Sequence, residues 1–473
     1  MPHDVDDLGP TLAERLGAWV VDLQLDRIPP DVVAKAKLCL LDFLGLAVVG
    51  ASLPQMAPVA PLIDQLGARE ECSVAGARRR TALPYAAFAN AAYGHSCEFD
   101  DSHIACGHPG VCVIPTALAC AEREGLGGRA VLEAVVAGYQ AMAVAIGPVH
   151  PQMIRTGWHG MKVSGVFGAA AATGKLLGLT AAQLTHALAI AASDAGGTTE
   201  YDQSGGEVKR FHAGMAVRSG IEAALLAQAG LTGPPTIFEG PRGVRQIFGG
   251  GLPAERVVEL EGRFHLLDTM FKLYPAAGTL HAALDGFREI RRRLSFDADQ
   301  IESIEVGLID FAILHGAAIV RPPDPISAQF SLAFSLGLCA ITGANRLPDY
   351  LDRARWEDGR ILGVAERVRP FEMAKPPGAS DLFADVTVRL RDGRTDREAV
   401  AAPRGFPTHP ATAQDIEGKA RSVLEGLRSP EQIGRLMEDL DRLEDLDTVE
   451  PLIRFLAASP VSVADQGRED ERT

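Results

Sequence analysis

The stretch Val163-Ser-Gly-Val-Phe-Gly-Ala-Ala-Ala-Ala-Thr-Gly-Lys-Leu-Leu177 runs through Gly178-Leu-Thr180 into a second apolar run, residues 181–192. Its small and apolar residues recur at helical spacing, which predicts a helix whose neighbours can approach closely. Gly178 reads as a stop, and Thr180 as a cap for the free N–H groups of the next helix. Inside it, Gly168-Ala-Ala-Ala-Ala-Thr-Gly174-Lys175 imitates a phosphate loop. The imitation fails: it has one residue too many, and Leu176 stands where Ser or Thr would ligate magnesium. The stretch is read as packed helix.

The same Ala/Leu/Val texture covers residues 130–145 and 215–230, and dominates from Leu12 to about Gly250. Near residue 270 the character changes. Residues 301–308 alternate like a half-buried strand, and residues 385–390 alternate before Asp392-Gly393, a hairpin turn signal. From about Thr412 the helical pattern returns, with charged faces through Arg454 and then a polar tail expected to be disordered. The chain is therefore expected to be mainly α. A large helical domain (residues 1–268, continued by 405–473) would carry a smaller inserted α+β domain (269–404). No internal repeat or low-complexity segment is present.

The 473 residues suffice for two domains, and 47% hydrophobic with 23% charged residues is ordinary for a globular protein. A net charge of −15 argues against nucleic acid and anionic membrane surfaces as partners. The amino terminus is acidic and lacks a signal-like apolar run. Residues 38–49 are strongly apolar, but Asp42 interrupts them and they are too short to span a bilayer, so they read as a buried core helix. Seven cysteines without a CxxC pair favour reduced thiols in the cytoplasm. Neither a compact zinc spacing nor a GxSxG elbow nor a strand-linked GxGxxG appears, so no metal and no cofactor is expected. Chemistry would then fall to side chains.

The histidines and lysines say which. His95, His103 and His108 crowd Gly94-His-Ser-Cys-Glu-Phe-Asp-Asp-Ser-His-Ile-Ala-Cys-Gly-His-Pro109, together with Glu98, Asp100 and Asp101. His159 follows Gly157-Trp, Lys209 precedes His212 by three residues, and Lys272 precedes Tyr274 and His281. The 46 basic residues include only eight lysines, leaving 38 arginines. A chain so disposed to Arg keeps Lys where a compact, titratable ammonium is required. The pattern points to proton chemistry on an anionic substrate.

Those motifs resemble the MmgE/PrpD family. They are His95-Ser-Cys-Glu98, Gly107-His108-Pro109, Gly157-Trp-His159, Lys209-Arg-Phe-His212-Ala-Gly214, Lys272-Leu-Tyr274-Pro275, Ala328-Gln-Phe-Ser331-Leu and Gly405-Phe-Pro-Thr-His-Pro410. They occur in order over nearly the whole chain. The resemblance implies a cofactor-free homodimer with a helical domain and an α+β lid, acting on a small carboxylate. Its members dehydrate, decarboxylate or epimerise such acids. Carried across, it implies catalytic roles for Glu98, His108, His159 and Lys209. His159 is then the acid/base, and Lys209 holds a substrate carboxylate. Substrate binding is expected of Asp101, His103, His212, Lys272 and His281. Asp100 and Asp101 have a structural alternative as helix caps. His186, His265 and His315 read as structural or exposed.

Two positions depart from the decarboxylase pattern: Ala277 stands for an active-site histidine and Phe334 for a tyrosine. Neither can transfer a proton. Dehydration of a 2-methylcitrate-like acid is therefore the leading expectation. Epimerisation of a related dicarboxylate, decarboxylation, and an inactive carboxylate-binding protein are the alternatives.

Overall fold

The computed structural model describes residues 9–76, 79–250 and 262–459; the expected polar tail lies outside the described residues. Eight long helices lead the chain: α1 (Leu12–Asp22), α2 (Pro30–Ala51), α3 (Leu83–His95), α4 (Gly110–Glu124), α5 (Gly128–Ile146), α6 (Gly160–Leu176), α7 (Ala181–Ala191) and α8 (Val208–Gln228). They share one hydrophobic core. The stretch that opened the sequence reading is α6, in which every residue from Gly160 to Gly174 is buried. It packs against α4, α5, α7 and α8, so an apolar surface all round is what its place demands. Small residues make that crowding possible: a Cβ on Gly220 of α8 would sit 2.5 Å from the carbonyl oxygen of Val166. Thr180 caps α7 as its sequence predicts, accepting from the Gln183 N–H in a capping box.

The apolar run at 38–49 lies within α2, and every residue from Cys39 to Gly50 is buried. Among the described residues one helix, α5, is long and apolar enough to cross a membrane. However, 83% of its apolar window is buried inside the protein. All seven cysteines are buried and free.

A second hydrophobic core begins at Tyr274. It is built from α9 (His281–Leu294), β1 (Ile301–Leu308), α10 (Leu332–Thr342), β2 (Val368–Glu372), β3 (Ala384–Leu390) and β4 (Thr395–Val400). The strands form one sheet in the order β2-β1-β3-β4, with β2 parallel to β1 and the other pairings antiparallel. Gly393, at φ 88°, supplies the left-handed residue in the β3–β4 hairpin. Helix α9 covers β3 and β4. Three helices then return to the first core: α11 (Ala413–Leu424), α12 (Pro430–Asp441) and α13 (Glu450–Ala457). The fold is mainly α with a smaller α+β part.

Candidate active site

The two cores meet around a cavity of about 420 Å³. Residues from both parts line it, including Glu98, His103, His108, His159, Lys209, Lys272, Ala277 and Thr279. Three helices begin at its wall. His108 stands two residues ahead of α4, His159 is the N-cap of α6, and Lys209 lies in the first turn of α8. Helix N-termini carry partial positive charge and free N–H groups, which favours anions and neutral histidines there.

Glu98 is at the centre of the ionic cluster. Its carboxylate pairs with Lys209 through Oε2 and with Lys272 through Oε1, the latter at 2.7 Å. All three side chains are buried, with 7%, 5% and 1% exposure respectively. Burial would raise the Glu98 pKa, but the two ammonium groups outweigh it and hold the carboxyl well below its ordinary range. Burial lowers the Lys209 ammonium, with Glu98 opposing.

The histidines form two linked groups. Asp100 accepts from His95 Nδ1 at 2.9 Å and lies 3.1 Å from His108 Nδ1. His108 Nδ1 also donates to the Asp101 carbonyl at 2.8 Å. Burial would raise Asp100, yet the imidazoles beside it keep it well below the usual carboxylate range. In the other group, His159 Nδ1 lies 2.7 Å from His212 Nδ1, so one ring donates and the other accepts. Tyr201 stands edge-on to both rings, with centroids at 5.6 and 5.9 Å. Burial and the neighbouring His212, His95 and Lys209 depress His159 well below its ordinary value, which favours its neutral form.

Six of the nine sequence-expected site residues line the cavity: Glu98, His103, His108, His159, Lys209 and Lys272. Three do not. Asp101 accepts the Tyr139 hydroxyl at 2.6 Å and the Gly110 N–H at 3.0 Å, serving the start of α4 as a structural acceptor. Burial raises it to about 7. His212 stands behind His159. His281 is fully buried, with Nε2 donating to the Ala276 carbonyl at 3.2 Å. His103 reaches the wall, but Nδ1 accepts the Ala105 N–H at 3.1 Å and Nε2 donates to the His265 carbonyl at 2.9 Å. Both its nitrogens are therefore engaged.

Sequence reasoning missed four wall residues. Tyr201, Thr279 and His150 lie in no motif that marks them, and His315, expected to be structural or exposed, lines the cavity opposite Asp202 at 3.0 Å. The Oγ1 of Thr279 and the Nε2 of His150 are buried without a hydrogen-bond partner. The two departures from the decarboxylase pattern fall apart spatially. Ala277 lines the cavity, whereas Phe334 packs in the second core against Tyr350 at 5.9 Å.

Two clusters offer three possible metal ligands each: His95, Asp100 and His108, and His103, His265 and Asp268. In the first, both Nδ1 atoms already face Asp100. In the second, both His103 nitrogens are hydrogen-bonded. Neither presents a ready set of free lone pairs.

The architecture and site together define a two-core, mainly helical protein whose junction gathers histidines, lysines and carboxylates around one cavity. The chain belongs to the MmgE/PrpD family: residues 14–256 match the MmgE/PrpD N-terminal domain and residues 274–442 the MmgE/PrpD C-terminal domain. Among curated relatives, the cis-aconitate decarboxylase-like protein oryM of Aspergillus oryzae is 28% identical, over 93% of this chain and 96% of that protein. The cis-aconitate decarboxylase of Mus musculus is 26% identical, over 95% and 94% respectively. That of Homo sapiens is 25% identical, over 96% of each chain.

Proposed function

We propose that this protein is a lyase acting on a small polycarboxylate, with its own side chains performing the acid–base steps. The observation that carries this reading is the convergence of His159 with the Lys209–Glu98–Lys272 cluster on one cavity. His159 Nδ1 is engaged by His212, which leaves Nε2 to take a proton from the carbon beside a substrate carboxylate. Negative charge then develops on that carboxylate. Two ammoniums around one carboxylate leave one net positive charge to stabilise it in a site largely shielded from water. His108, oriented by Asp100 and the Asp101 carbonyl, acts in its protonated form, giving its Nε2 proton to the departing hydroxyl, which leaves as water.

Dehydration of a hydroxylated di- or tricarboxylate of the 2-methylcitrate kind is the reading we put first. Ala277 supplies no proton at the cavity wall, and the retained groups are those an elimination needs. Decarboxylation is the second reading, favoured by the relatives' names. The smaller part (269–404) serves as a lid in this proposal. A homodimer and a cytoplasmic setting belong to it as well, the latter supported by seven free thiols.

Proton NMR in deuterated water tests it, with 2-methylcitrate, citrate, cis-aconitate and substituted succinates. A new vinylic signal with loss of hydroxyl, absent in His159→Ala and Lys209→Ala, is the expected result. Release of carbon dioxide selects decarboxylation, and washout of an α proton without an alkene selects epimerisation. No change with any acid overturns the substrate class.

A further inference from the structure

Glu98 does not hold its own conformation. Its φ is 52°, the left-handed region that a long side chain keeps only where its surroundings over-determine it. Those surroundings are unusual. Four of the five carbonyls from Cys97 to Asp101 accept a hydrogen bond from a side chain distant in sequence or across the loop. Gln329 Nε2 donates to Cys97 O at 2.7 Å, and Lys272 Nζ to Glu98 O at 3.2 Å. Lys419 Nζ donates to Phe99 O at 2.6 Å, and His108 Nδ1 to Asp101 O at 2.8 Å.

Lys272 and His108 belong to the cavity wall; Gln329 and Lys419 do not. Gln329 is fully buried and also donates to Pro275 O at 3.1 Å, tying the loop to the segment that carries Lys272. Lys419 reaches in from α11. It pairs with Asp42 of α2 at 2.6 Å and lies 4.0 Å above the Phe99 ring. A buried lysine with a carboxylate, a carbonyl and an aromatic face around it has a fixed position.

We propose that Gln329 and Lys419 are positioning residues: they clamp the peptides on either side of Glu98, so that its carboxylate bridges Lys209 and Lys272. One clamp comes from the second core and the other from the helices that return to the first. The active loop is therefore complete only when all three segments are docked. This rests on the reading of Glu98 as part of the active site, and the test separates the two ideas.

The variants are Gln329→Met, which keeps the approximate length and removes the donor, and Lys419→Met with Asp42→Asn, which leaves no unpaired buried charge. The first readout is a crystal structure of each, which needs no substrate. The expected result is a Glu98 peptide relaxed out of positive φ and a lost Glu98–Lys272 contact. Glu98 unchanged, with both lysines still bridged, overturns the proposal.

The second readout is a double-mutant cycle with Glu98→Gln, on any acid the parent enzyme turns over. If Gln329 acts through Glu98, Gln329→Met lowers kcat at least tenfold in the parent and less than twofold in the Glu98→Gln background. Equal losses in both backgrounds mark a merely structural role and overturn it. Should one variant fail to fold, the other decides alone. If no acid is turned over, the functional reading fails while the crystal structures still settle the clamp.

Discussion

The cavity has a deep pole and a mouth, and both are built from paired charges. At the deep pole, Lys272 and Lys209 share Glu98 with at most 7% exposure. At the mouth, Arg155 meets Asp310 at 3.5 Å with 59% and 46% exposure, and Lys375 meets Asp381 at 2.6 Å with 47% and 52%. Solvent screens the mouth pairs, whose worth is ~0–1 kcal/mol. At depth an unpaired ion has no water to turn to, and breaking such a pair costs about 3–5 kcal/mol. Similar residue types thus have different purposes. In the proposed reaction, deep charges would fix a field where charge develops, and mouth charges would only accompany whatever enters.

The largest effects should therefore come from the deep pole. Lys272→Met leaves Glu98 with one cation and removes the donor to its carbonyl. We expect a loss of about 3–5 kcal/mol by urea unfolding. Turnover should fall by on the order of 10²–10³, as when a fixed stabilising group is removed. A loss below 1 kcal/mol would put the cluster in the same energetic class as the mouth. His159→Ala should cost ~10²–10⁴ in kcat and about 1–3 kcal/mol in stability, because it leaves His212 without its buried partner.

Acid should act on the same region. His95, His103, His150 and His212 are each depressed to about 4, mainly by burial. Between pH 6.5 and 4 the unfolded chain binds protons that the folded protein refuses, so this stability is full above about 6.5 and is lost as pH falls through 4. Asp101 has the opposite sign. Raised to about 7, it costs stability as pH climbs from about 4 towards 7. The depressed histidines, His159 and His281 among them, and the lowered carboxyls of Glu98 and Asp100 predict a urea midpoint that falls on acidification. Asp101→Asn should steepen the fall, because it removes an opposing group whose shift lies in this range. A flat profile from pH 7 to 4 would contradict the buried, neutral histidines.

The two poles were not equally legible in the sequence. Helix α6 and its capped successor could be read from local pattern, because burial on all sides leaves small apolar residues and Thr180 has only its own helix to satisfy. The α+β strands at 301–308 and 384–390 were legible from alternation. Six wall residues were found because motifs carried them. Asp101, His212 and His281, expected to bind substrate, stand off the cavity wall: a motif says a residue matters, but not whether it touches the cavity or supports one that does. His150, Tyr201 and Thr279 were missed because their position depends on closure between distant segments. The same holds for Lys419, which meets Phe99 across 320 residues. Phe334 shows the reverse error, a departure in sequence that falls outside the cavity.

The smallest effect is the sharpest test of the comparison. Arg155 and Asp310 join the two parts across the mouth, so a simple view of the cavity as a charged funnel assigns them a large share of substrate capture. Their exposure argues otherwise. Arg155→Ala and Asp310→Ala should each change stability by less than about 1 kcal/mol and leave kcat unaltered. A steering role would appear only in kcat/KM, lower for Arg155→Ala, higher for Asp310→Ala, and vanishing as salt rises past ~0.15 M. If either variant instead lowered kcat at all ionic strengths, the mouth would be working in the reaction itself, and depth would no longer separate the chemistry from the entry.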